Sequence, residues 1–125
     1  MGSIEHLNLP KKSMYSISNK IFCLENCKDH KKGLAGVTEL ESYNGMIFNF
    51  QNPGSRTFHM AGCVIPLDII FSRDRKIIKI FHDCLPCNDE PCKKYTCESA
   101  DSIIELSGGS CNDYNISEGM VYKLI

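Results

Sequence analysis

A chain of 125 residues with 42% hydrophobic and 23% charged side chains has the size and balance of one folded domain, which excludes disordered and fibrous classes. Its 14 Lys and Arg stand against 15 Asp and Glu, and a net charge of −1 offers no basic stripe, so nucleic acid is not an expected partner. No apolar run approaches the roughly 18 residues of a membrane-crossing helix, so no membrane span is expected.

Residues 1–13 contain Pro10-Lys11-Lys12-Ser13 and no periodic pattern, and they read as a flexible lead-in to a single β-rich domain over 14–125. The N-terminus lacks a basic segment and an apolar core, so the sequence as it stands reads as cytoplasmic. A signal segment removed ahead of it would make the protein extracytoplasmic. Residues 14–24 alternate in part and end in Ile21-Phe22-Cys23-Leu24, which predicts a first strand. Asp29-His30-Lys31-Lys32 leads into Gly33-Leu34-Ala35-Gly36, at most two turns of helix stopped by glycine.

Gly45-Met46-Ile47-Phe48-Asn49-Phe50 predicts a strand that runs into a turn at Gln51-Asn52-Pro53-Gly54, with another strand starting at Thr57. Residues 64–71 and 76–81 form two apolar strands around the charged turn Ser72-Arg73-Asp74-Arg75, the strongest hairpin signal in the chain. Residues 83–99 are polar, hold Pro86 and Pro91, and read as a loop. Ser102-Ile103-Ile104-Glu105-Leu106 returns as a strand, Gly108-Gly109 breaks it, 112–116 suits a short helix, and 120–124 closes as a last strand. Six to eight short strands with one or two short helices predict a mostly β fold, a single compact β-sandwich or barrel. The expected core is Ile47, Phe48, Phe50, Leu67, Ile69, Phe71, Ile78, Ile80, Ile104 and Leu106, and the doubled Ile pairs predict strands covered on both faces.

One order of motifs carries a family likeness: Lys32-Gly33-Leu34, Gly45-Met46-Ile47-Phe48-x-Phe50, Phe58-His59-Met60, Pro66-Leu67-Asp68-Ile69-Ile70-Phe71, Pro86-Cys87 with Cys92 and Tyr95, Ile104-Glu105-Leu106-x-Gly108-Gly109, and Ile116-x-x-Gly119. Over residues 21–124 the chain resembles the domain of unknown function 192 family. The resemblance implies a compact β-sandwich or barrel-like fold and carries no established activity. Cys87 and Cys92 match the family's loop cysteines, whereas Cys84 and Cys97 are local additions. His59 stands where an aromatic is usual, and Gly62-Cys63 stands where Asn-Thr is usual.

Eight cysteines ask for an explanation, because Cys84, Cys87, Cys92 and Cys97 cluster behind His82 and Cys23 pairs with Cys27. A zinc site could join Cys84-x-x-Cys87 to Cys23-x3-Cys27, with His82, Cys92 and Cys97 as further candidate ligands. A small loop closed by a Cys87 to Cys92 disulfide is the favoured reading, since neither spacing is a close match to a zinc knuckle and the loop pairing fits the resemblance. On this reading no cofactor is needed; zinc is the alternative.

Asp68 sits in an apolar strand, where a carboxylate must be hydrogen-bonded, paired or protonated. The structural reading has it accepting backbone N–H groups at a bend set by Pro66. The functional reading places a site where Phe58, His59 and Met60 meet Pro66 and Asp68, near Gly45 and Met46. Cys63, His59 and Asp68 have the residue types of a nucleophilic triad. Two functions follow: a non-catalytic accessory or binding domain that holds a small molecule or protein at one end of the β fold, or a small zinc- or thiol-dependent enzyme. The lack of a catalytic motif favours the first.

Overall fold

The computed structural model describes residues 10–27 and 33–125. Its elements are β1 (Lys12–Ile17), β2 (Lys20–Asn26), β3 (Asn44–Phe58), β4 (Leu67–Arg73), β5 (Lys76–Cys84), β6 (Tyr95–Ser107), the short helix α1 (Ser110–Asp113) and β7 (Lys123–Leu124). The seven strands form one sheet in the order β5-β4-β6-β3-β2-β1-β7. The amide of Ile77 donates to Met120 O at 2.8 Å and that of Tyr122 to Arg75 O at 2.9 Å, tying the chain ahead of β7 to the start of β5. The sheet therefore curls until its two edges meet at one end, as a half-barrel. The fold is mostly β and barrel-like, as expected.

Several boundaries differ from the sequence reading. Residues 14–24 are a hairpin, not one strand: β1 and β2 pair antiparallel around Ser18 and Asn19, both at positive φ. Such a two-residue turn needs left-handed backbone, which Asn tolerates, and no Gly or Pro marked it. β1 also takes in Lys12 and Ser13, which the sequence reading assigned to the lead-in. The β4–β5 hairpin stands as expected, with its turn reduced to Asp74 and Arg75, again both at positive φ.

No turn interrupts β3 at residues 51–54. The strand continues through register shifts between Asn49 and Gly54 and between Gly54 and Arg56, where Pro53 and Gly54 sit without weakening a regular ladder. β6 begins at Tyr95 and absorbs residues 95–99 of the expected loop. Gly33 to Gly36 form turns instead of a helical turn, and Asp29 to Lys32 lie outside the described residues.

Both faces of the sheet are covered. Ile47, Ile70, Ile80, Ile104 and Leu106 pack with Phe22, Leu24, Cys111 and Tyr122. Met46, Phe48, Leu67, Ile69, Phe71 and Ile103 pack on the opposite side with Met60 and Cys63, from the segment that follows β3. The doubled pairs Ile69/Ile70 and Ile103/Ile104 thus split between two cores, as their sequence suggested. Of the expected core only Phe50 and Ile78 are half-buried.

Candidate functional site

On the face carrying Phe48 and Ile103, the long β3 bends at its irregularities and leaves an open cleft of about 590 Å³. Phe48, Phe50 and Phe58 supply apolar walls, Gly33 and Leu34 one margin, and Ser55, Arg56, Thr57 and His59 a polar rim. Glu105 of β6 also lines the cleft, although it is only 4% exposed. β6 pairs Glu105 with Met46 and with Ile69, so strand alternation aims it into this face while Leu106 points to the other.

Among the described residues none donates a hydrogen bond to the Glu105 carboxyl, and burial pushes its pKa up to about 7. Gly33, at φ +47, lies so close that a Cβ there would be 3.3 Å from Phe48 Cζ and 3.9 Å from Glu105 Oε1. At the rim, the Arg56 guanidinium stacks 3.9 Å from the Phe50 ring centroid, and its Nε donates to Ala100 O at 3.1 Å.

The residues singled out in the sequence divide between this cleft and the rest of the fold. Phe58 and His59 line the cleft, and the amide of Ala61 donates to His59 Nδ1 at 3.2 Å. Met46 and Met60 are buried in the core behind it. A Cβ on Gly45 would run into Glu105 O, and would lie 2.7 Å from Leu106 Cδ2, so that glycine admits the backbone of β6, not a ligand. Pro66 accepts a hydrogen bond from the Gly108 amide at 2.9 Å.

Asp68 is fully buried and points to the opposite face. Its Oδ1 accepts from the amides of Asp83 at 2.7 Å and Gly109 at 3.1 Å, and its Oδ2 from that of Cys111 at 2.8 Å. This is the structural role weighed for it. Cys63, His59 and Asp68 are accordingly not brought together. Cys63 lines the cleft, but burial and then the charge of Glu105 raise its thiol pKa, which keeps it protonated.

Sequence reasoning missed Glu105. The signal was present, an acid within the apolar Ser102 to Leu106 strand, and it is the same signal that drew attention to Asp68.

Cys87 and Cys92 are joined by a disulfide that closes the loop ahead of β6. Cys87 therefore has no thiolate to offer a metal or a redox exchange with Cys84, whose own thiol burial pushes up to about 11. Cys23, Cys27, Cys84 and Cys97 form no further disulfide. Among the described residues the one group of three potential metal ligands is Asp68, His82 and Cys111, which joins His82 to two residues outside the expected cysteine cluster. No helix among the described residues is long and apolar enough to cross a membrane.

Two solved structures share the fold. A protein of unknown function from Novosphingobium aromaticivorans DSM 12444 is 24% identical, with a TM-score of 0.79 over 98% of this chain and 92% of that one. A candidate transcription regulator from Sinorhizobium meliloti 1021 is 21% identical, with a TM-score of 0.79 over 90% of this chain and 93% of that one. At such identities the likeness shows the fold alone. No curated protein matches the chain. The family model described as an uncharacterised ACR matches residues 15–124, nearly the whole length, and the chain belongs to that family, domain of unknown function 192.

Proposed function

We propose that the domain is a non-catalytic binding module that takes a small organic cation, an amine in the simplest case, into the cleft above Glu105. One observation carries this reading: a buried carboxyl that no described residue hydrogen-bonds opens onto a cleft walled by three phenylalanines. Burying an acid with no hydrogen-bond donor among the described residues is costly, and a chain selected for stability alone would place an apolar side chain there. A ligand ammonium group supplies donors and charge to this carboxyl, while the walls of Phe48, Phe50 and Phe58 offer apolar area. The cleft volume of about 590 Å³ suits a small molecule.

A catalytic reading has less support. The Cys63 thiol is held protonated, His59 Nδ1 accepts a backbone amide, and Asp68, held by three backbone amides, lies on the other face.

The test is calorimetric titration of the whole chain with a panel of primary amines and guanidines of graded apolar size. Binding is expected for members with a ring or short alkyl chain, tightening as pH rises through 7, where Glu105 ionises. Glu105→Gln should weaken it by about tenfold or more, the loss of one charge-assisted pair. Equal affinity for wild type and Glu105→Gln, or no binding by any amine on the panel, would sink the proposal.

A further inference from the structure

The opposite face of the sheet holds a second set of polar groups that the cleft does not use. β4 and β5 pair Ile70 with Ile80, so alternation brings Asp68 and His82, two residues along each strand, to one face at the same end of the hairpin. Cys111, in α1, packs into the core of that face with Ile70, Ile80 and Leu106. One donor atom from each of Asp68, His82 and Cys111 lies within 4.8 Å of the other two.

We propose that Asp68, His82 and Cys111 form a binding site for a single divalent cation of zinc-like chemistry. The donor set is one carboxylate oxygen, one imidazole nitrogen and one sulfur, which suits a borderline-soft ion and disfavours calcium or magnesium. Carboxylate and thiolate together carry two negative charges, so a divalent ion leaves the site neutral. The exchange balances: the Cys111 S–H proton leaves to solvent as the sulfur–metal bond forms, and the ion takes its place between sulfur and carboxylate.

The carboxylate is already oriented for this. Its Oδ1 holds two amides and its Oδ2 one, at 2.7, 3.1 and 2.8 Å, and its remaining partner is the Cys111 thiol, whose S–H the ion would replace. Asp83 reaches it from a left-handed backbone (φ 51) beside the irregularity of the β4–β5 ladder, a local distortion that serves the carboxylate. Asp68 and Cys111 are buried, whereas His82 is exposed. The imidazole therefore closes the site from the solvent side, where an ion enters and where water can fill the fourth position.

Cobalt(II) reports directly on this geometry. The whole chain, with its disulfide intact, should bind one cobalt with a thiolate-to-cobalt charge-transfer band and the visible bands of a four-coordinate ion, and zinc should displace it. His82→Ala, an exposed change that leaves the fold intact, should weaken binding by about tenfold or more, and Cys111→Ser should abolish the charge-transfer band. Cys84→Ser and Glu105→Gln should leave both unchanged, which separates this site from other thiols and from the cleft. No charge-transfer band in the wild type at excess cobalt, or wild-type affinity in His82→Ala, would overturn the proposal. A band that survives Cys111→Ser would do the same.

Discussion

Replacing Glu105 by Gln removes the ionisation while keeping nearly the same shape, so the two proteins should differ in how their stability depends on pH. The folded protein holds the Glu105 proton up to about pH 7, whereas the ordinary value is 4.5. Below pH 4.5 the group is protonated in both folded and unfolded chains and adds no pH-dependent cost. Between 4.5 and 7 the unfolded chain gives up its proton first, so stability falls as pH rises; above 7 both states are ionised and the full cost remains. At about 1.4 kcal/mol for each tenfold difference in proton affinity, the gap comes to about 3 kcal/mol. Urea unfolding of both proteins at intervals from about pH 4 to about pH 8.5 reads this as a change in their stability difference, with the variant gaining about 3 kcal/mol on wild type. The Gln amide has its own burial cost, but that cost does not vary with pH, so the slope isolates the carboxyl. Parallel curves would refute the reasoning, because they would mean that the carboxyl is solvated or paired.

Phe71→Ala removes a fully buried ring in contact with Phe58 and Phe81, and should lower unfolding free energy by about 3–5 kcal/mol; a loss below about 1 kcal/mol would contradict its burial. Joint replacement of Cys87 and Cys92 by Ser opens a loop of sequence separation 5 on the surface. It should cost about 2 kcal/mol or less, with an unchanged far-ultraviolet circular dichroism spectrum. Gly45→Ala forces a methyl group onto the backbone of β6 and should cost about 3 kcal/mol or more in denaturant unfolding; a neutral outcome would mean that Gly45 faces open space.

The strands were legible where their signal was local. The β4–β5 hairpin combines two apolar runs with a charged turn, and the paired Ile residues by themselves imply a sheet buried on both sides. Three features escaped for physical reasons. The β1–β2 turn uses Ser18 and Asn19 at positive φ without glycine, so nothing in the alternation marks the reversal. The Pro53-Gly54 pair carries the chemistry of a turn, yet it sits at irregularities of a strand that β6 holds on both sides of them. Residues 95–99 are polar enough to read as loop, and they become strand because Thr96 and Cys97 find Thr57 and Arg56 opposite them. In each case a long-range pairing decides the outcome, and local composition does not contain it.

The two acids in apolar strands make the same argument for the site. Asp68 and Glu105 look alike in sequence, each one charge among aliphatic neighbours. In the sheet Asp68 stands opposite Leu106 and Glu105 opposite Ile69, one position apart in register and therefore on opposite faces. On its face Asp68 meets three amides, supplied by the distorted end of β5, by Gly109 just ahead of α1 and by the first turn of α1. Glu105 instead faces the phenylalanine-walled cleft, beside a glycine held at positive φ. What separates the two carboxyls is thus the count of backbone donors that distant segments deliver: three orient Asp68, and none among the described residues reaches Glu105. Those donors come from Asp83, Gly109 and Cys111, 15, 41 and 43 residues along the chain from Asp68, and only the folded sheet brings them to it.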